Sequence, residues 1–175
     1  MDPLILIRPT NEYAAEIAKY RREFIEAGDS MDGTGALKRT DDPYEFIRQS
    51  IEREDPKNVP ADRVPATQLI LVRKSDGRLV GMLQIRHSFT PYLERFGGHV
   101  GYSVLPSERR KGYAKRMLAM ALPLCRELGL ERVLITCLEG NEGSERTILA
   151  NGGVYESTAH DPSTGETLKR FWTTL

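Results

Sequence analysis

An α+β fold, with a mixed, mainly antiparallel sheet and helices on both faces, is predicted by three observations in this 175-residue chain. Residues His99 to Leu128 switch from strand alternation to helical spacing. Two pairs of short apolar segments are joined by polar, glycine-containing turns, the signature of hairpins. A further apolar segment, Glu131 to Leu138, follows directly on the helix and is expected to run parallel to the strand before it. At this length one domain spanning residues 1–175 is expected, large enough for a true core.

Taken in order, Leu4 to Arg8 is a short first strand. Thr10 is placed to cap a helix through about Ala27, with Ala14, Ile17, Ala18, Tyr20, Phe24 and Ile25 apolar and Gly28 as its stop. The segment from Gly28 to Thr40 is rich in glycine and polar residues and reads as a mobile loop. Asp42-Pro43 marks the cap and first residue of a second helix through Arg53. A proline-rich connection leads to the strands Gln68–Arg73 and Leu79–His87, joined through Lys74–Arg78. Residues 88–98 form a loop or short helical turn. Val100, Tyr102 and Val104 alternate along a central strand that ends at Pro106. From Ala114 a helix takes over, and Pro123 is expected to kink or end it. After the Glu131–Leu138 strand comes a short helix over about Glu142–Ala150. Val154–Ala159 and Leu168–Thr174 close the sheet as a hairpin. Residues 1–66 are assigned to shaping the acceptor side, and 67–175 to the core and final hairpin.

Lysine plus arginine equals aspartate plus glutamate at 25 each, so the net charge is zero. That argues against a nucleic-acid binder held by bulk charge. No apolar run approaches the roughly 20 residues that span a bilayer. The opening MDPLILIRPT has neither a basic region nor a cleavage site, which speaks against a signal peptide. Cys125 and Cys137 lie on apolar faces with no metal-ligand cluster around them. They read as reduced core residues of a cytoplasmic protein, and no metal is expected.

The chemistry concentrates between the central strand and the following helix. Arg109, Arg110, Lys111, Gly112, Tyr113, Ala114 and Lys115 occupy a tight turn and the first helical turn. There, free N–H groups and the positive end of the helix dipole face outward. Gly112 lets a ligand approach the backbone. The arrangement suits a phosphate or pyrophosphate; the alternative is a solvated basic loop before an ordinary helix. A P-loop requires GxxxxGK followed by Ser or Thr, and a dinucleotide fold requires GxGxxG; neither occurs.

Arg109-x-x-Gly112-x-Ala114, preceded by Val104-x-Pro106, resembles the acetyl-coenzyme A signature of the GNAT N-acetyltransferases. Asn141 and Ser144, followed by a helix closing on Asn151-Gly152-Gly153, resemble that family's second cofactor element. The likeness runs from Gln68 to about Leu175. A narrower likeness, carried by Ile85-Arg86-His87, Gly97–Tyr102 and Arg170-Phe171-Trp172, is to a bacterial subgroup of predicted acetyltransferases.

The resemblance implies a GNAT-like fold in which two neighbouring strands, here Gly98–Leu105 and Glu131–Leu138, splay apart to admit a pantetheine arm. It implies that Val104 pairs with the pantetheine amides and that the backbone from Arg109 to Lys115 holds the pyrophosphate. Asn141 then contacts the cofactor arm with Ser144 nearby; a helix cap is the equal alternative for Asn141. The implied reaction is acetyl transfer from acetyl-coenzyme A to a primary amine. The family's tyrosine, seven residues after the asparagine, is replaced by Ile148. This leaves Tyr102, Tyr113 and Tyr155 as candidates for the proton donor, and supports a second reading, a non-catalytic acyl-coenzyme A sensor. His99 is the candidate base, with His87 and water as rivals, and a bulge is required for His99 and Tyr102 to reach one cleft. Glu26, Asp29 and Asp32 beside the glycine-rich loop suggest a cationic acceptor. The acceptor's identity, the acyl-chain preference and a homodimer are left open.

Overall fold

The computed structural model describes residues 2–175. Four strands, β1 (Leu4–Ile7), β2 (Ala66–Arg73), β3 (Arg78–Arg86) and β4 (Val100–Val104), form a sheet in that order. Three more, β5 (Arg132–Leu138), β6 (Val154–Asp161) and β7 (Glu166–Thr174), form a second sheet in the order β5-β7-β6. All five strand pairings are antiparallel. No ladder joins β4 to β5. They meet where the backbone N–H of His99 donates to Leu134 O at 2.7 Å, just before β4 begins. The expected parallel neighbours therefore touch at one end and are not laddered beyond it.

Four helices flank the sheets: α1 (Ala14–Ala27), α2 (Pro43–Glu52), α3 (Tyr113–Glu127) and α4 (Glu142–Leu149). Alternation in the strands separates two cores. Ile70, Val72 and Met82 face Ile17, Tyr20 and Phe24 of α1 and Phe46 and Ile47 of α2. Leu69, Leu71, Leu83 and Ile85 face the opposite way, with Met117, Leu118, Ala121 and Ile148. Period-2 strands and period-3.6 helices thus bury one face each, at about 25 cal/mol per Å² of apolar area removed from water.

Several boundaries differ from expectation. Thr10 makes no side-chain cap; a 3-10 turn over Asn11–Tyr13 precedes α1. Asp42 does cap α2, its side chain accepting from Tyr44 N at 2.9 Å. Pro123 does not end α3, which continues to Glu127, because proline removes only the bond to one carbonyl and the next turn re-forms. The Gly28–Thr40 segment is not composed as a mobile loop: it includes a 3-10 turn, Gly35–Lys38, and buries Met31, Thr34, Ala36 and Leu37. Glycine content misled here because Gly33 serves close packing, its Cα lying 3.4 Å from where a Cβ on Gly101 would stand.

Candidate functional site

The site is built where β4 and β5 part. At the closed end His99 is 5% exposed and bridges the two strands. Its N–H donates to Leu134 O, and its Nδ1 accepts from Leu134 N at 2.9 Å. Phe89 covers the ring at 4.0 Å between centroids, and Trp172 meets it edge-on at 6.2 Å. With Nδ1 accepting, the neutral ring carries its proton on Nε2 and has no lone pair to offer. Burial, and secondarily the Arg86 cation, lower its pKa to about 4. This corrects the expectation of a base: His99 is a pin between the splayed strands. The β3–β4 register also runs without a bulge from Gly81↔Val104 to Ile85↔Val100, so His99 and Tyr102 stay on opposite faces. The rival His87 is held by Thr67 Oγ1 at 2.8 Å.

The depressed His99 pKa has a testable consequence. The folded state binds this proton less readily than the unfolded chain, whose imidazole titrates near 6.5. Stability is therefore full above that pH and is lost as pH falls from about 6.5 toward 4, by up to about 3 kcal/mol. Urea midpoints measured from pH 4 to 8 should show this loss in the wild type and less of it in His99→Gln. Identical pH slopes in the two proteins would contradict it.

Along the gap, Tyr102 reaches across to α4. Its hydroxyl lies 2.8 Å from Ser144 Oγ and 3.3 Å from Ser144 O. Burial, more than the Ser144 contact relieves, raises the phenol pKa, so it stays protonated. Tyr113 and Tyr155 do not reach the gap. Tyr113 is buried with its hydroxyl accepting from Arg73 Nη1 at 3.0 Å, and Tyr155 is exposed on β6 beside Thr158. Ile148 is wholly buried in the α3–α4 core, so at that position the side chain packs and does not face a ligand.

Asn141 caps α4, its Oδ1 accepting from Ser144 N at 3.1 Å. Its side-chain amide N–H groups are left for another partner. Val104 is buried, and its carbonyl accepts from Arg109 Nε at 3.2 Å.

At the open end, Gly112 precedes α3 with φ 79° and ψ 7°, and no side chain caps that helix. Nothing lies within 4 Å of where a Gly112 Cβ would stand. The N–H groups of Tyr113, Ala114 and Lys115 belong to the uncapped first turn, at the positive end of the helix dipole. Arg110 adopts φ 63°, the left-handed region, next to this turn.

Sequence reading missed what shapes the loop. Glu108, 2% exposed, accepts from Arg73 Nη1 and Arg78 Nη1 at 2.8 Å each and from Lys111 Nζ at 2.7 Å. Burial alone would raise its pKa, but Lys111 and Arg73 hold it below the ordinary carboxylate range. The only local signal was a lone glutamate amid cations; Arg73 and Arg78 come from another hairpin. Arg109 pairs with Asp29 at 2.6 Å, and Lys38 lies 3.6 Å from Asp32. Two of the three carboxylates read as attracting a cationic acceptor are thus paired with the chain's own cations, and Glu26 is not among those pairs.

Antiparallel sheets that part beside a glycine-led helix N-terminus give the fold its layout. A family model described as the acetyltransferase (GNAT) family matches residues 36–152, and the chain belongs to this family of acetyltransferases. No curated protein sequence matches it significantly. Solved structures share its fold. One is the ribosomal-protein-S5-alanine acetyltransferase from Vibrio fischeri, at TM-score 0.76 and 19% identity, covering 99% of this chain and 94% of that one. Another is the microcin C7 self-immunity acetyltransferase MccE in complex with acetyl-CoA and AMP, at 0.71 and 18%, covering 100% and 94%. A third is a spermidine N-acetyltransferase SpeG chimera from Vibrio cholerae and hSSAT, at 0.67 and 14%, covering 98% and 94%.

The open space at Gly112 and the uncapped α3 N-terminus fit a pyrophosphate. Acetyl-coenzyme A at 100 times its dissociation constant should stabilise the protein by about 2.7 kcal/mol, roughly 5–10 °C in melting temperature for a domain of this size. Gly112→Val should abolish that shift, since it fills the open space and strains a left-handed turn. Thermal melts with and without ligand check this, and an unchanged shift in the variant would refute the cradle.

Proposed function

We propose that this acetyltransferase moves an acetyl group from acetyl-coenzyme A to a primary amine. The observation that carries the reading is Tyr102, held protonated and pointing across the β4–β5 gap to the α4 N-terminus. Acetyl-coenzyme A, when bound, supplies the acetyl group as an activated thioester. The α3 first turn, Tyr113 to Lys115, offers N–H donors to its pyrophosphate, with Arg110 and Lys115 exposed beside it. Val104 offers its backbone to the pantetheine arm, which requires Arg109 to leave the Val104 carbonyl. Asn141 offers its amide N–H groups while its oxygen caps α4, and Ser144 positions the Tyr102 hydroxyl. Tyr102 donates a hydrogen bond to the leaving sulfur, the role left open by Ile148. Because His99 and His87 are both engaged, the ammonium proton leaves to water.

Two measurements test this. Thiol release in single turnover across a panel of amines should show transfer. The acidic limb of the rate profile should then move with the pKa of the acceptor amine, since no side chain takes the proton. An acidic limb independent of the acceptor would restore a protein base. The buried Ile148 favours a second reading, an acyl-coenzyme A sensor, which predicts the thermal shift without any thiol release. Placement in a reducing compartment is supported by the two buried, unpaired cysteines, Cys125 and Cys137. No helix of the described residues is long and apolar enough to cross a membrane.

A further inference from the structure

On the α1–α2 side of the site lies a cation with no anion. Arg86, the last residue of β3, is only partly accessible. Its Nη1 donates to Gly97 O and Gly98 O, both at 3.1 Å. These two bonds fix the guanidinium across the chain that leads into β4. The other edge is not so engaged. Nη2 faces Gly101, where a Cβ would stand 3.5 Å away, and the same point lies 3.4 Å from the Gly33 backbone. Among the described residues Arg86 forms no ion pair, whereas Arg73, Arg78, Arg109 and Arg170 each form one or more. The carboxylate acting on it from nearest by is Asp32, which faces Lys38 and accepts from Ser30 Oγ at 3.1 Å. Burial lowers the Arg86 pKa, yet a guanidinium remains charged at any working pH.

A partly buried charge without a partner is costly, and the cost is recovered when an anion arrives. The guanidinium is a planar fork whose natural guest is a carboxylate. It stands beside His99 and Gly101, on the face where the Gly33 loop meets β4, at the closed end of the gap. Phe89 and Trp172 pack on the neighbouring His99 ring, so apolar surface adjoins that end, and apolar surroundings strengthen an ion pair.

We infer that Arg86 selects an acceptor carrying a carboxylate close to its reactive amine, as an amino acid or a short peptide does. The inference rests on the acetyl-transfer reading. It replaces the cationic acceptor suggested by the acidic loop residues, because Asp29 and Asp32 are engaged while Arg86 is not.

The test uses matched pairs: glycine and glycinamide, β-alanine and β-alaninamide, glycylglycine and glycylglycinamide. Amidation removes the carboxylate and makes the amine less basic, so intrinsic reactivity near neutral pH favours the amide. A preference for the acid therefore reports on the protein. Expected is a kcat/KM at least tenfold higher for the acid in the pair whose spacing fits, carried mainly by KM. Calorimetric titration of that acid and its amide into protein saturated with coenzyme A should give the same order of affinity. Arg86→Gln should bring both ratios close to one or below, and Arg86→Lys should keep part of the preference. The acetyl-coenzyme A thermal shift reports that each variant is folded. Transfer to amides as fast as to acids in the wild type overturns the assignment and leaves acetyl transfer standing, as does a preference that survives Arg86→Gln. No transfer to any amine overturns both.

Discussion

Tyr102→Phe is expected to lower kcat by about 10²–10³-fold, the usual cost of removing one donor aimed at charge that develops during reaction. The hydroxyl is the only atom lost. The ring stays packed in the gap, and Ser144, which shares the 2.8 Å contact, stays in place through its backbone N–H bond to Asn141 Oδ1. Acetyl-coenzyme A affinity should therefore hold within a few-fold, so the loss appears in kcat and not in the thermal shift. The variant also separates Tyr102 from its rivals. Tyr113→Phe should disturb the Arg73 cluster and stability, and Tyr155→Phe should change little, since its hydroxyl contacts only Thr158 on the surface. Full activity in Tyr102→Phe would remove the donor assignment.

The second large effect is on stability. Gly98 sits at φ 68° and ψ −175°, a region open to glycine alone. A Cβ there would lie 2.6 Å from Leu134 O, the same carbonyl that accepts from His99. Gly98→Ala adds backbone strain to a clash at the one point where β4 and β5 join, and should cost about 3 kcal/mol or more. Gly129→Ala is the control. It also has a positive φ, 85°, but nothing lies within 4 Å of its Cβ position, so it should cost about 1 kcal/mol. Chemical denaturation of both variants decides the matter, and equal losses would show that strain alone, without the junction, governs Gly98.

How legible each part was follows from how far apart its residues lie in the chain. The strand–turn–helix proposed as the anion cradle was readable because everything it needs is consecutive: a strand ending before Pro106, Gly112, and a helix whose apolar positions recur every three or four residues. The same holds for α2, whose Asp42 cap acts two residues away, and for Asn141, which caps α4 through Ser144. The hairpins were readable from turn residues, and the α+β class from the two periodicities. Thr10 failed as a cap because a three-residue 3-10 turn intervenes, which periodicity does not resolve.

Charge was where local reading misled. Asp29 and Arg109 are 80 positions apart and pair at 2.6 Å; Glu108 gathers Arg73 and Arg78 from 35 and 30 positions away. A histidine on a strand reads as a titrating group, but His99 became a pin because Leu134, 35 positions on, supplies both an N–H and a carbonyl. Arg86 read as one basic residue among 25, and only the folded chain sets its guanidinium beside Gly101 and the Gly33 backbone with no carboxylate paired to it. Periodicity and turn chemistry act between neighbours, so sequence alone determined most elements and the glycine-led turn into α3. Electrostatic partners and proton affinity depend on distance and desolvation in space, which only the folded chain settles.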